Sequence, residues 1–242
     1  MGKSIGVISL KGGVGKTSIV ASLGSAIASF DKKVLLVDGN LSAPNLGIHF
    51  KIIDPEMSLH NVLDREINAK DAIHSLGNMD IIPASLFTDR QVNPLKLKDR
   101  MDYLKKKYDY IFYDSSPSLN DETLGVMLAS DLLFVVSTPD HPTLSTTLKA
   151  IKSAKERGIP IQGVIINKVH NKKFEISLEH VEETLEVPVI AVIPYDINIL
   201  EALSKFVPSV EHNPKSKATE EYKKLAAALV GERYESNNLW NF

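Results

Sequence analysis

A glycine-rich turn that ends in lysine and threonine is the part of this sequence best suited to bind phosphate. The turn reads Gly12, Gly13, Val14, Gly15, Lys16, Thr17 and Ser18. Glycines allow successive backbone N–H groups to face one anion, and the first turn of a helix adds positive potential. Lys16 would then contact the β- and γ-phosphates of a nucleotide, while the Thr17 hydroxyl would bind magnesium.

The elements around this turn are those that a phosphate-binding loop requires. An apolar run at residues 5–9 precedes it, and a helical pattern follows it. The apolar face of that helix is formed by Ile19, Leu23, Ala26, Ile27 and Phe30. A strand, a glycine-rich loop and a helix in this order favour a phosphate-binding loop over a glycine-rich surface turn.

Further apolar runs alternate with helical patterns along the whole chain. The predicted strands lie at residues 5–9, 33–37, 79–82, 110–113, 132–137, 163–166 and 189–193. Most are apolar at successive positions, which is typical of strands buried on both faces of a parallel sheet. The sequence therefore predicts an α/β fold with a doubly wound, mostly parallel sheet and helices on both faces. Ligands of such folds bind at the carboxyl ends of the strands.

The composition is that of an ordinary α/β domain. The 242 residues include 28 basic and 30 acidic side chains, for a net charge of −2, so the charge balance does not point to nucleic acid. The chain has no cysteine, which excludes disulfides, zinc-thiolate sites and cysteine-ligated iron–sulfur clusters. It lacks a signal-peptide pattern and any apolar run of about 20 residues. We expect a cytoplasmic protein with one domain at residues 1–231 and a flexible tail at residues 232–242.

The residues that open the turn depart from the strict phosphate-loop pattern. Leu10 replaces its first glycine, and Lys11 follows. The run from Lys11 to Thr17 resembles the deviant Walker A motif of the MinD/ParA ATPases, and among them the archaeal-type MinD-like proteins. The resemblance implies a P-loop ATPase that binds ATP or ADP with Mg2+ and forms a homodimer when ATP is bound. Lys11 would reach the partner's nucleotide and offset the charge of two facing phosphate sites. The alternative is a solvated lysine.

The second predicted strand is followed by the segment that the family uses as switch I, here residues 39–46. Asp38 ends the strand and matches the first aspartate of the motif. The second aspartate, thought to orient the attacking water, is replaced by Asn40. An amide can hold water but cannot accept its proton. We therefore expect tight nucleotide binding with slow hydrolysis, and we assign catalytic roles to Lys11, Lys16, Asp38 and Asn40.

Magnesium would be held from two further strand ends. The run at residues 110–113 ends in Asp114 and resembles a Walker B strand, with switch II at residues 115–118. We expect Thr17, Asp38 and Asp114 to surround the metal ion, directly or through water. An aspartate at a strand end can also cap a helix or turn, which is the alternative reading of Asp114.

The adenine end of the site is predicted from the last two strands. Asn167 and the segment at Pro194 and Asp196 resemble the family's adenine-binding elements. The Asn167 amide can pair with a purine, and the backbone near Pro194 can approach the ring edge. These residues would otherwise be strand-end turns. Asp140 stands where the family places an acidic residue near the partner's nucleotide.

Two surface features bear on membranes and DNA. Bacterial MinD proteins end in a basic amphipathic helix that lies on the membrane, whereas the residues after the helix predicted at 219–230 carry little positive charge. Direct membrane binding is therefore not expected. Trp240 and Phe242 would suit either a docking peptide or a disordered end.

Basic residues cluster around one predicted helix and one loop. They are Lys96, Lys98, Arg100, Lys105, Lys106 and Lys107, then Lys168, Lys172 and Lys173. Similar clusters allow the ParA branch to bind DNA without sequence preference. Asp99, Asp102 and Asp109 interrupt the first cluster, so a solvated helix face is favoured over non-specific DNA binding.

The resemblance implies an ATP-driven switch that positions a division site, a chromosome, or a motility or receptor assembly through a protein adaptor or activator. A regulatory scaffold that binds nucleotide and barely hydrolyses it is the alternative, and Asn40 favours it. A carrier of metal ions or clusters is disfavoured because its relatives use paired cysteines and this chain has none.

Overall fold

A computed structural model describes residues 1–88 and 90–234. Its strands are β1 (Lys3–Ile8), β2 (Val34–Asp38), β3 (His74–Ser75), β4 (Asp80–Ile82), β5 (Tyr110–Asp114), β6 (Leu132–Ser137), β7 (Ile161–Val169) and β8 (Val189–Pro194). They form one sheet in the order β3-β4-β2-β5-β1-β6-β7-β8. All neighbours pair in parallel except β3, which is antiparallel to β4. The predicted α/β fold with a mostly parallel sheet is confirmed.

Helices connect these strands across both faces of the sheet. They are α1 (Lys16–Ala28), α2 (Leu59–Leu63), α3 (Leu97–Met101), α4 (Asp121–Ala129), α5 (His141–Glu156), α6 (Leu178–Leu185), α7 (Ile197–Ser204), α8 (Ser209–His212) and α9 (Lys217–Val230). Short 3₁₀ helices lie at Gly47–Phe50, Ala69–Ala72, Pro94–Lys96 and Asp102–Lys106. No helix of the described ranges is long and apolar enough to cross a membrane.

The sheet separates two apolar cores, which explains why its strands are apolar at successive positions. In β2, Leu35 and Val37 join the core that also contains residues of α4 and α5, whereas Val34 and Leu36 join the core beneath α1 and α9. Successive side chains of a strand point to opposite faces. A strand covered on both faces therefore needs apolar residues at every position.

The first helix is more deeply buried than a single apolar stripe predicts. Every residue of α1 from Ile19 onwards is buried, because the sheet covers one side and α8 and α9 cover the other. On that outer side the hydroxyl groups of Ser22 and Ser209 are hydrogen-bonded at 2.8 Å. The helix that follows the phosphate loop is therefore held between two layers from Ile19 onwards.

Some element boundaries differ from the sequence-based expectation. Strand β3 was not predicted, because two residues are too few for a periodic pattern. Helix α9 begins before the expected residue 219, since the Ser216 side chain accepts the backbone N–H of Thr219 and caps the helix. The Asn93 side chain accepts the backbone N–H of Leu95 and caps the 3₁₀ helix at Pro94–Lys96. The division into a domain at residues 1–231 and a flexible tail stays a prediction. Most of that tail, with Trp240 and Phe242, lies outside the described residues.

Candidate nucleotide site

The phosphate loop connects β1 to α1 and uses left-handed backbone at two glycines. The φ angles of Gly13 and Gly15 are 78° and 96°, a region in which glycine is preferred to residues with a side chain. Gly15 is also the residue before α1. A Cβ atom at Gly15 would lie 2.4 Å from Nδ2 of Asn167, so a side chain there would also displace the Asn167 amide.

A bulge in β7 holds the loop from the side of the sheet. The pairing of β7 with β8 shifts register between Ile166 and Val169, and Lys168 has a φ of 60°. Within this bulge, Nδ2 of Asn167 donates to the carbonyl of Val14 at 2.7 Å, and Nζ of Lys168 donates to the carbonyl of Gly13 at 2.7 Å. A loop whose carbonyls are bound on one side can present its N–H groups to an anion on the other.

Lys16, Thr17 and Asp114 meet at the start of α1. The Thr17 hydroxyl donates to Oδ2 of Asp114 at 2.6 Å. Oδ1 of Asp114 is buried and has no hydrogen-bond partner among the described residues. The side chain of Lys16 is 7% exposed. Burial lowers the pKa of the Lys16 ammonium, and the nearby Asp114 carboxylate opposes that shift.

Asp38 lies next to Asp114 in the paired strands β2 and β5, but its carboxylate has a different set of partners. It accepts the backbone N–H groups of Asn40 at 3.2 Å, Asn45 at 3.1 Å and Leu46 at 2.9 Å. Both oxygens are thus engaged by switch I, and Asp38 fixes the shape of that segment. Any contact of Asp38 with a metal ion would add to these bonds.

The two neighbouring carboxylates are electrostatically frustrated. Burial, followed by repulsion from Asp114, raises the pKa of Asp38. Burial also raises the pKa of Asp114, while Lys16 and the hydrogen bond from Thr17 act in the opposite direction. Two buried like charges favour a nearby cation, because positive charge allows both groups to stay ionised.

Asn40 borders the cleft and presents an unused acceptor. Its Nδ2 donates to the carbonyl of Ala43, whereas its Oδ1 is buried and has no hydrogen-bond partner among the described residues. Two residues after Asn40, Ser42 donates its backbone N–H to the Glu122 carboxylate at 2.9 Å and its hydroxyl at 3.2 Å. Because Glu122 lies in the first turn of α4, switch I is tied to the helix that follows switch II.

Lys16, Thr17 and Asn40 line a cleft of about 540 Å3 at the carboxyl ends of the strands, whereas Asp38 and Asp114 are buried and are not among its lining residues. The lining includes Gly12, Gly13, Gly15, Lys16, Thr17, Ser18, Asn40, Asn167, Pro194 and Asp196, all of which were predicted from the sequence. A volume of this size is typical of small-molecule sites. Val14 of the same loop was also predicted to contact the nucleotide, but it is buried and is not among the residues that line the cleft.

The adenine end of the cleft combines predicted and unpredicted residues. Oδ1 of Asn167 is buried without a partner among the described residues, so it can accept a hydrogen bond from a base. Asp196 lines the cleft, but its carboxylate caps α7 by accepting the N–H of Asn198 at 2.9 Å. Lys168 and Tyr195 also line the cleft; they lie in the predicted adenine-end segments but were given no role. Sequence reasoning missed His49, Ile199 and Leu200. The signal for the last two was an apolar pair in the helix that follows the last strand.

Lys11 lies outside this cleft, on the other side of the phosphate loop. Its Nζ is 3.3 Å from Oδ1 of Asp140 and 2.7 Å from Oγ1 of Thr143. Asp140 in turn caps α5 by accepting the N–H of Thr143 at 2.9 Å. The Lys11 and Asp140 side chains are 42% and 43% exposed, so the pair is accessible from outside. The structure thus brings together two residues that the sequence predicted near a partner's nucleotide.

Several residues of the basic clusters are engaged within the chain. Lys105 is buried and forms ion pairs with Asp102 at 3.0 Å and Asp131 at 2.8 Å. Lys107 lies 3.9 Å from Asp80, and Lys168 is bound to the phosphate loop. These contacts reduce the charge that is free to neutralise DNA phosphates.

Comparison with known proteins agrees with the family resemblance of the phosphate loop. A family model described as an AAA domain matches residues 2–162. An ATP-binding protein of Methanocaldococcus jannaschii is 34% identical over 98% of this chain and 90% of its own length. The septum site-determining protein MinD of Thermotoga maritima is 31% identical over 96% and 89% of the two chains. MinD of Pyrococcus horikoshii, solved with Mg-ADP, superimposes with a TM-score of 0.90 at 32% identity over 95% and 96% of the two chains.

The identity to these relatives extends over almost the whole chain, and the solved relative has the same fold. The strand, phosphate loop and helix predicted from residues 5–30 are present, with the deviant lysine at Lys11. The chain therefore belongs to the MinD/ParA family of P-loop ATPases.

Proposed function

We propose that this chain binds ATP or ADP with Mg2+ in the cleft described above, hydrolyses ATP slowly, and dimerises when ATP is bound. The observation that carries this proposal is the phosphate loop. Two of its carbonyls are held by β7, and its lysine and threonine converge on Asp114. The loop would cradle the phosphates by its N–H groups, and Lys16 would neutralise their charge.

The residues around Thr17 fit a magnesium ion. Oδ1 of Asp114 is an unpartnered buried oxygen, and the Thr17 hydroxyl is a second oxygen ligand of the kind that magnesium prefers. No group of three acidic or histidine side chains suitable for a metal ion occurs within residues 1–88 and 90–234. A site completed by phosphate oxygens and water agrees with that, because magnesium usually keeps several waters. Bound magnesium supplies positive charge that offsets charge developing on the transferred phosphate.

Slow hydrolysis follows from the group at position 40. Oδ1 of Asn40 can accept a hydrogen bond from a water molecule and so orient it towards the γ-phosphate. The amide cannot take the proton of that water, which instead passes to solvent or phosphate oxygen. Phosphoryl transfer depends mainly on position and charge, so turnover is reduced and not abolished.

Dimerisation is supported by the position of Lys11. Its ammonium lies outside the cleft of its own chain, on an accessible surface beside the phosphate loop. From there, a lysine can extend towards the phosphates of a second copy once it leaves Asp140. The dense negative charge of ATP provides a reason for that exchange, because Lys11 would gain a stronger partner than one exposed carboxylate.

The dimer would act as a spatial switch. The γ-phosphate would order switch I and switch II, and the dimer surface would be recognised by a protein adaptor or activator that positions cellular cargo. Asn40 also supports a second candidate, a regulatory scaffold that binds nucleotide with little or no hydrolysis. The two differ in whether phosphate release is measurable.

Calorimetry with Mg-ADP and Mg-ATP, together with a phosphate-release assay, tests the nucleotide part of the proposal. The wild type is expected to bind both nucleotides at one site per chain, and Lys16→Ala to lose at least about tenfold in affinity because the phosphate charge loses its counterion. Lys96→Ala, which removes an exposed lysine, should bind as the wild type does. Equal affinity of the Lys16 variant would contradict the assigned site.

A further inference from the structure

A phenylalanine close to Lys11 is almost completely exposed. Phe174 lies in the loop between β7 and α6 and has 80% of its surface accessible. Single exposed apolar residues are common in soluble proteins and need no explanation by themselves. Phe174 differs from such residues because its loop has a defined shape and lies beside Lys11.

The loop at residues 170–176 is held in a defined shape. The Glu175 carboxylate accepts the backbone N–H groups of His170 at 2.8 Å and Lys172 at 3.0 Å. The N–H of Ile176 donates to the carbonyl of Pro139 at 3.1 Å, which ties the loop to the segment before α5. The His170 ring also stacks on Tyr195, with ring centroids 4.7 Å apart. Phe174 is therefore presented outwards by a turn that has little freedom to bury it.

Phe174 and Lys11 border the same recess. Both line a cleft of about 330 Å3, together with Pro139 and Asp140. Gly12, Gly13 and Lys168 line both this recess and the nucleotide cleft. We call the side of the phosphate loop that faces the recess its outer side, and the side that faces the nucleotide cleft its inner side. Lys172 and Lys173 next to Phe174 are exposed, so the rim of this recess carries two cations. The carboxylates of Asp140 and Glu175 in its lining accept hydrogen bonds from within the chain.

We propose that Phe174 is an apolar anchor of the contact between two copies of this chain in their ATP-bound state. This inference rests on the proposed dimer. For Lys11 to reach the partner's phosphates, the partner's surface must close over the recess that Lys11 and Phe174 share. The Phe174 ring would then lose its contact with water.

Two properties of this rim favour a second copy as the occupant. Its lysines complement the negative charge of the triphosphate that the partner carries, and this complementarity exists only when the partner is loaded. An aromatic side chain on a rigid loop contributes large contact area at a small entropic cost, as binding hot spots do. In a two-fold dimer the same ring is buried twice, since each copy contributes the same surface.

Sedimentation over a range of protein concentrations in Mg-ATP measures this contribution. Phe174→Ala is expected to raise the dissociation constant of the dimer by at least about tenfold, with Phe174→Leu between that variant and the wild type. The matched control is Leu128→Ala. Leu128 is 41% exposed near the end of α4, where the Ser4 hydroxyl contacts the carbonyl of Ala129 at the amino edge of the sheet. This control should leave dimerisation unchanged.

Mg-ADP affinity of the monomer is measured in parallel and should be equal in all four proteins, because Phe174 does not line the nucleotide cleft. If the wild type dimerises and Phe174→Ala does so with a dissociation constant within twofold, the anchor is refuted and the dimer stands. If the wild type stays monomeric in ATP, the proposed dimer fails, and the anchor fails with it.

Discussion

At the scale of single residues, Asn40 is the side chain on which the proposed slow hydrolysis depends. The resemblance predicts an aspartate at this position, and the Oδ1 of the Asn40 carboxamide is a free acceptor among the described residues. The neighbouring backbone is already fixed by Asp38 and by Glu122. A carboxylate placed on the same backbone would therefore act from the same position.

Asn40→Asp is expected to raise the rate of ATP hydrolysis by about tenfold or more, because a carboxylate can accept the proton of the attacking water. Nucleotide affinity should change little, since phosphate contacts come from the loop. Phosphate release under single-turnover conditions separates this step from product release. A natural chain as fast as its Asn40→Asp variant would contradict the role assigned to this residue.

His49 is a buried histidine that the motif did not predict. It follows switch I, borders the cleft and is 8% exposed. Burial lowers the pKa of its imidazole to about 4. In the unfolded chain the pKa is close to the ordinary value of about 6.5. As the pH falls through this window, the unfolded chain takes up a proton at His49 before the folded chain does, so stability is lost progressively.

His49→Gln should reduce this acid sensitivity. Between pH 7.5 and pH 4.5 the wild type is expected to lose roughly 2 kcal/mol more unfolding free energy than the variant. Urea titrations at the two pH values measure the difference, and His180→Gln, at an exposed histidine of α6, is the control. Parallel losses in the wild type and the His49 variant would show that burial of this ring does not disfavour its charged form.

At this scale, the sequence predicts shared chemistry best for residues that lie close together in the chain. The glycines, Lys16 and Thr17 are adjacent in the chain, so their shared chemistry is visible as a motif. The contact of Lys168 with Gly13 joins residues 155 positions apart, and only the folded sheet brings them together. For the same reason Lys168 was grouped with surface lysines, although its ammonium supports the phosphate loop.

At the scale of elements, the bulge in β7 links the adenine end of the cleft to the phosphate loop. Asn167 and Lys168 donate to successive carbonyls of that loop. The bulge requires a left-handed backbone at Lys168, which is uncommon for a residue with a side chain. We interpret the bulge as the feature that sets the shape of the loop before nucleotide arrives.

Lys168→Ala is expected to weaken Mg-ADP binding by about tenfold, since a charge-assisted hydrogen bond to the loop is lost. Lys172→Ala removes an exposed lysine of the next loop and should bind as the wild type does. Calorimetry gives both affinities, and thermal unfolding checks that the variants are folded. Equal affinities for the two variants would exclude a role of the β7 bulge in shaping the loop.

The arrangement of the elements was largely predictable, and the exceptions have physical causes. Apolar runs without alternation predict buried parallel strands, and the sheet has them. The burial of every residue of α1 from Ile19 onwards was not predictable from its own stripe, because α8 and α9 cover its outer side and come from the far end of the chain. Small polar residues such as Ser22 on that side would predict exposure to solvent, yet their small size permits close helix packing.

At the scale of the whole molecule, each chain has an inner and an outer side of its phosphate loop. The inner side holds Lys16 and the nucleotide cleft, and the outer side holds Lys11 and Phe174. In the proposed switch, a single chain uses only the inner side for nucleotide. The outer side has the charge and the exposed apolar surface that a second, nucleotide-loaded copy would complement. ATP binding and assembly are thereby coupled in the proposed switch.

The molecular mass in solution tests this account most directly. It is measured without nucleotide, with Mg-ADP and with Mg-ATP, for the wild type and for Lys11→Ala. The wild type should be a monomer in the first two conditions and a dimer in Mg-ATP. The Lys11 variant should bind ATP and remain a monomer. A wild type whose mass is the same in all three conditions would contradict the account.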